Sequence, residues 1–356
     1  MSNLFEAIYA RRPRRIPHWE HWSCPDAETH LTGIDRYEHP RLCRLRLNEL
    51  YPQIGWWVPA TDDPIPRPEN AANHERHTAR WDTTETGSYA HGEMVFKTAE
   101  DVFAFSPLAN PDFRRWPHTI MCWDYTSEEV IYQRLKKNFD DRYGGRQPVG
   151  ASEWFYNTMF MWPMLTFGWE LFLECCLDER FERVMAEFLE LNRRVFRAFA
   201  RLPIKYVTCH DDIVMTRGLV CSPAWMKKFI WPAYEELWGI LKAAGKDVVF
   251  MTDGNPEECV DTIMSLGALG IITEPFMDFK RAAKKYPNRF FAGEGDNRVL
   301  LRNNPAEIRA MVESMVDTAR VCDGYAMCIG NHIPWNVPGE AVKLYLDYAA
   351  EIGVRE

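Results

Sequence analysis

Short apolar runs, each closed by a polar or acidic residue and followed by an amphipathic stretch, set the rhythm of the second half of the chain. The runs fall at 204–209, 247–251, 269–273, 289–292 and 325–329. Helical patterns follow at about 223–244, 256–266, 278–286, 305–321 and 338–352, and Trp225, Phe229, Tyr234, Leu237 and Leu241 recur at helical spacing. Ser222-Pro223 and Asn304-Pro305 predict helix starts, a cap followed by a proline, and Gly245 predicts a helix stop. Strands alternating with helices at this spacing predict an α/β fold with a parallel sheet. The alternation alone does not separate a closed barrel from an open doubly wound sheet. No GxGxxG or GxxxxGK[ST] follows any run, which removes the usual nucleotide-binding signatures of the open sheet.

The first half is less regular. Residues 58–92 hold several prolines and His74, His77 and His91, and 82–93 predict a hairpin around Thr86-Gly87-Ser88. This region is expected to be an N-terminal insertion over one barrel mouth. Residues 154–177 are apolar enough in length to span a bilayer, but Glu170 and Glu174 would be costly in lipid. A buried strand, a turn between Pro163 and Gly168, and a core-facing helix are the expectation there. With no repeat, low-complexity tract or linker, 1–356 is expected to form a single domain.

Charge narrows the partners. The net charge of −9 opposes nucleic acid or an anionic membrane, since phosphates require a dense basic field. The one basic cluster, Arg11-Arg12-Pro13-Arg14-Arg15, is expected to be a solvated helix end. Leu4, Phe5, Ile8 and Tyr9 suggest an amphipathic turn rather than a secretory signal core. Ten cysteines without a CxxC suggest reduced, mostly buried thiols and a cytoplasmic protein.

Polar residues just after parallel strands converge on one face of a barrel. Here they are His18, Glu20, His21 and Trp22; Asp124; His210, Asp211 and Asp212; Asp253 and Asn255; Glu274; Glu294 and Asp296; and Asn331 with His332. Taken singly, an acid after a strand is as readily the cap of the next helix, which holds for Asp212, Asp253 and Asp296. A lone histidine is more often structural. Together, these groups would crowd carboxylates and imidazoles into one pocket suited to acid–base work or to a metal. His21, His210, Asp253, Glu294 and His332 are the metal candidates, with no HExxH or HxxxH spacing to join them. Cys209 and Cys328 are expected in the core.

From about 200 to 350 the chain resembles the uroporphyrinogen decarboxylase superfamily, through "HDDIVMTRGLVCSPAWMKKFIWPAYEEL", "AAGKDVVFMTDGNPEECVDTIMSLG", "FFAGEGDNRVLL" and "IGNHIPWNVPGEAVKLYLDYA"; "WPMLTFGWELF" is similar more loosely. The resemblance implies a (β/α)8 TIM barrel. It also implies one of two chemistries, cofactor-free decarboxylation of a tetrapyrrole or methyl transfer to or from a corrinoid on a partner protein. The arginine-rich segment of the decarboxylases corresponds here to "IPHWEHWSC", which lacks the charge-assisted donors a polycarboxylate substrate needs. The methyltransferases often carry a His-x-Cys zinc pair where this chain has Met251-Thr252-Asp253, and a third cysteine where Asn331 stands beside His332. A thiolate-rich site is therefore replaced by harder donors, Asp253, Glu294 and His332, for zinc or another divalent metal.

These readings lead to an expected methyltransferase component of a corrinoid-dependent demethylase system, moving a methyl group from a small ether or amine. His210, Asp212, Asp253 and Glu294 are the expected catalytic residues. His21, Trp22, Trp123, Asp124, Asn255 and Asn331 are the expected substrate contacts, with Trp154, Phe155 and Trp169 adding aromatic lining. The chain has no DxHxxG corrinoid motif, so the corrinoid would sit on a separate protein, and a homodimer is compatible with this arrangement. The alternative is a decarboxylase or lyase acting on a smaller acid, with Arg217 or Arg298 as the cation. A non-catalytic binding barrel is disfavoured because unpaired acids in a pocket cost stability.

Overall fold

The apolar runs end in polar residues because they are strands of one parallel sheet whose carboxyl ends share a side. The computed structural model describes residues 3–51, 58–59, 61–65, 67, 82–84, 87–89, 95–113, 124–143, 155–330 and 332–355. Two antiparallel ribbons stand apart from the main sheet: β1 (Asp82–Thr84) with β2 (Gly87–Tyr89), and β5 (Val214–Met215) with β6 (Gly218–Leu219). The main sheet contains β3 (Phe155–Asn157), β4 (Tyr206–His210), β7 (Asp247–Met251), β8 (Gly270–Ile272), β9 (Phe290–Ala292) and β10 (Gly324–Tyr325). Its order is β10-β9-β8-β7-β4-β3, parallel throughout. Beyond β10 the N-terminal segment continues the sheet through parallel bridges from His18 to Met327 and from Trp22 to Ile333. Met121, Cys122 and Trp123 lie outside the described residues, and closure of the ring is not traced by the residues that are described.

Side-chain alternation divides the sheet into two apolar faces. On one face Trp19, Tyr206, Val249, Ile272, Phe290, Ala292, Ala326 and Cys328 form a cluster floored by Leu4, Ala7 and Ile8 of the N-terminal helix Asn3–Ile8. Residues from the N-terminal edge and from β4 share that cluster, so the sheet is strongly coiled around it. On the other face Cys209, Val248, Phe250, Ile271, Phe291 and Tyr325 join the main core beneath the helices. Strands buried on both faces read as unbroken apolar runs, which is why they are legible.

The helix predictions hold with local changes. Helices Pro305–Arg320 and Gly339–Ile352 span nearly the expected ranges. Ser222 and Asn304 cap as expected, accepting from Trp225 N–H at 3.2 Å and from Ala306 N–H at 3.0 Å. The long pattern from 223 is interrupted by a π turn, Met226–Ile230, before Trp231–Ala243. Pro232 has no N–H to return to the preceding turn, and Trp231 N–H reaches back to Met226 instead.

Two expectations are corrected. There is no turn at Pro163: helix Met161–Phe167 contains it, in the first turn, where its missing N–H removes no helical bond. The break falls at Gly168, ahead of helix Trp169–Cys175. In the hairpin, Gly87 and Ser88 lie on β2 rather than in the turn. The strongly amphipathic helix Phe181–Arg201 and the helices Pro25–Thr32, Pro40–Leu50 and Glu128–Tyr143 add structure to the irregular half. Among the described residues no helix is long and apolar enough to cross a membrane. The arginines at 11–15 are exposed, and two of them bind carbonyls at helix ends: Arg12 those of Arg320 and Cys322, Arg15 that of Ala350.

Candidate functional site

Strand register assembles the site. The Cα of His210 pairs with that of Met251 at the ends of β4 and β7. Tyr206 and Val249 face the inner cluster, so alternation carries His210 to the same face one layer nearer the strand ends. The register thus puts an imidazole, that of His210, beside position 251 on the neighbouring strand. His210 Nε2 lies 2.9 Å from Asp212 Oδ1, which also accepts from Asp253 N–H at 2.8 Å. One ligand atom each from His210, Asp212 and Asp253 lies within 4.8 Å of the others.

Electrostatics single out Asp253. Burial first, then the charges of Asp212 and Glu274, hold its carboxyl well above the usual carboxylate range. Asp212 moves the other way: burial opposes its charge, but His210 and the Asp253 N–H outweigh burial and hold it low. Glu274 closes the group by accepting from Gly254 N–H at 2.7 Å. Gly254 is required at this turn. Its φ is +87°, and a Cβ would sit 2.8 Å from Val214 O and the Met215 carbonyl carbon, so β5 presses directly on the turn that carries Asp253.

Glu294, expected beside Asp253 as a catalytic and metal group, faces elsewhere. Ala292 faces the inner cluster, and simple alternation would send Glu294 the same way. Gly293 breaks the alternation with a φ of +107°, where a Cβ would overlap Thr273 O. Glu294 instead accepts from Tyr325 Oη at 2.6 Å, Ser314 Oγ at 2.9 Å and Thr318 Oγ1 at 3.1 Å, against helix Pro305–Arg320. His332 is also outside the triad and pairs with His21, ring centroids 6.1 Å apart. His21 is two residues beyond Trp19, so alternation along the bridged N-terminal segment turns it to the inner side.

The remaining predicted residues have local partners. Asn255 Oδ1 accepts from Glu257 N–H at 3.1 Å, and Asp124 Oδ1 from Thr126 N–H at 2.9 Å, both turn-forming contacts. Asp296 caps helix Asn297–Arg302, as the capping reading expects, and its carboxylate pairs with Arg298 at 2.7 Å. Trp22 and Trp169 pack with the main core, and Glu20 is fully buried against Tyr345, His18 and Ile329 N–H. Cys209 and Cys328 are buried as expected. Trp123, Trp154 and Asn331, and the side chain of Phe155, lie outside the described residues. Sequence alone assigns Asp211 no role, although the structure puts it directly behind the triad. The paired acids after β4 are its only signal.

A cleft between the outer helices, lined by Asp261, Arg281, Lys285 and Tyr286, does not compete with this site. Its charges neutralise one another through Lys285 and Tyr286 on Asp261, at 2.6 Å each.

The comparisons with known proteins give a family and a fold. The uroporphyrinogen decarboxylase (URO-D) family matches residues 170–352, just over half of the chain. The chain belongs to the uroporphyrinogen decarboxylase family. A methyltransferase from Methanosarcina mazei has the same fold, with a TM-score of 0.61 over 98% of this chain and 97% of its own, at 14% identity. A xylose isomerase-like TIM barrel protein from Mycobacterium smegmatis in complex with magnesium reaches a TM-score of 0.29 at 11% identity, over 72% of this chain and 99% of its own, and carries no argument. No curated protein matches the chain in sequence. Within the family, the matched span holds His210, Asp212 and Asp253 together with the strands that position them.

Proposed function

We propose that this chain is a single-domain methyltransferase that takes a methyl group from a small ether or amine and passes it to a corrinoid on a separate protein. The observation that carries the reading is the convergence of His210, Asp212 and Asp253 at the ends of two adjacent strands. Family membership and the shared fold support it.

The donor set fits a divalent metal. One imidazole and two carboxylates suit zinc or a comparable ion, and three protein ligands leave a position for substrate. Ligand atoms in a tetrahedral zinc site are about 3.4 Å apart, so a set within 4.8 Å closes by small side-chain movements. A bound dication would also offset the repulsion among Asp212, Asp253 and Glu274. When bound, it supplies Lewis-acid polarisation of the departing oxygen or nitrogen.

The chain's own residues do the rest. The donor's carbon–heteroatom bond breaks and its electron pair stays on the heteroatom. A reduced corrinoid on the partner protein would supply the pair for the new bond to the methyl carbon. His21, on the N-terminal segment, and His332, after β10, hold the donor from the edge of the sheet, while Gly254 packed against β5 fixes the turn that carries Asp253. The corrinoid protein docks over the strand ends. The decarboxylase alternative is weakened at Arg298, whose guanidinium is already committed to Asp296.

The test uses free cob(I)alamin as acceptor and a panel of aryl methyl ethers and methylamines, with the loss of cob(I)alamin absorbance as the readout. Zinc-dependent methylation with at least one donor, lost in Asp253→Ala, is expected. No turnover with any donor by folded, zinc-loaded protein overturns the reading.

A further inference from the structure

Asp211 lies between two members of the triad but faces away from them. It is fully buried and accepts from Tyr234 Oη at 2.7 Å, Met161 N–H at 2.8 Å, Thr158 N–H at 3.1 Å and the Thr158 hydroxyl. Its own N–H donates to Met251 O at 3.1 Å, and Thr158 N–H also donates to His210 O at 3.1 Å. One residue therefore ties the end of β4 to the end of β7 on one side and to the segment after β3 on the other.

Taking a carboxylate out of water is costly unless hydrogen bonds to it compensate. The four donors compensate this one only in part, since burial outweighs them and holds the carboxyl above its ordinary value, so stability alone gives little reason for an acid here. Geometry gives a better one. In extended chain, pinning residue i on one face sends i−1 and i+1 to the other. With Asp211 held among four donors, His210 and Asp212 are both directed inward, and Asp212 Oδ1 then receives Asp253 N–H.

We propose that Asp211 is a positioning residue that sets the mutual orientation of His210 and Asp212, through a buried network with Thr158, Met161 N–H and Tyr234. The proposal rests on the metal reading above for its affinity readout, but it also has one of its own. The network acts as an outer shell around the ligands, and such partners change metal affinity by about 10–100-fold.

The experiment compares wild type, Asp211→Asn, Tyr234→Phe and a control, Glu20→Gln, in the full chain. Glu20 is equally buried but is bonded to Tyr345 and Ile329 N–H. Zinc affinity is measured by calorimetry, stability by urea unfolding, and the His210 ring by 15N spectra of histidine-labelled protein. Asp211→Asn is expected to weaken zinc binding roughly tenfold or more, and to lose the 15N signature of an Nε2 hydrogen-bonded to Asp212. Tyr234→Phe should weaken binding by a smaller factor. Glu20→Gln should lower stability and leave zinc affinity unchanged. Wild-type zinc affinity in Asp211→Asn overturns the proposal. If that variant does not fold, wild-type affinity in Tyr234→Phe overturns it. If wild type itself binds no zinc, the metal reading fails, and the His210 signature decides alone: its loss in Asp211→Asn upholds positioning, and its persistence overturns it.

Discussion

Glu28 is buried and Asp253 half-buried, and the chain surrounds the two carboxylates in opposite ways. Glu28 is held by two guanidiniums, Arg36 Nε at 2.9 Å and Arg44 Nη2 at 2.7 Å, all three residues being buried. Asp253 has Asp212 and Glu274 as its electrostatic neighbours, and the imidazole of the group is bonded to Asp212. Near Glu28 the opposite charge is built into the chain, so the cluster fastens helix Pro25–Thr32 to helix Pro40–Leu50. Near Asp253 the charges that act on its carboxyl are those of Asp212 and Glu274, both acidic. Such an arrangement carries repulsion that a bound cation would relieve. One cluster joins two helices, and the other is the group that the proposed function assigns to a ligand.

Removing one partner from each cluster is the sharpest way to break this contrast. Glu28→Ala strands two buried guanidiniums and is expected to cost about 3–5 kcal/mol, read by urea unfolding. Zinc affinity of the remaining folded protein should be unchanged. Saturating wild type with zinc should raise stability, by about 2.7 kcal/mol at a hundredfold excess over Kd, and a chelator should reverse the gain. Asp253→Ala is expected to abolish that gain while leaving apo stability equal to wild type or higher, because a repelled carboxylate has been removed. A fall in apo stability comparable to that of Glu28→Ala would erase the distinction.

The smallest effect belongs to Glu294. Burial raises its pKa above the ordinary value, and three hydroxyl donors only partly offset that. A raised acid binds its proton more tightly in the folded state than in the unfolded chain. Its contribution to stability is therefore fullest at pH below the unfolded value and is lost as pH rises through the folded one. Glu294→Gln should flatten the decline of stability with pH in that window, and zinc affinity at neutral pH should not move. A large loss of zinc affinity would return Glu294 to the metal group.

The strands of the second half are legible in the sequence because burial on both faces removes polar residues from them. Asn304, Ser222 and Asp296 announce helix starts because a cap is a local contact. The residues just past a strand are harder to read. Asp253, Glu294 and Asp296 look alike in sequence, yet one enters the triad, one turns to the helix layer and one caps. The direction of Glu294 depends on the backbone at Gly293, which residue type does not specify. The partnership of His210 with Asp253 depends on register between β4 and β7, a long-range property. Glu28, Arg36 and Arg44 come together only when two helices pack, so no short motif marks them.

The central claim is that His210, Asp212 and Asp253 form a ligand-ready group rather than a structural charge cluster. Anomalous diffraction at the zinc edge, from crystals of the full chain grown with zinc, tests it most directly. The account predicts a strong peak bonded to all three residues and absent in Asp253→Ala. Well-ordered side chains at these positions with no peak among them, in zinc-saturated crystals, would contradict it.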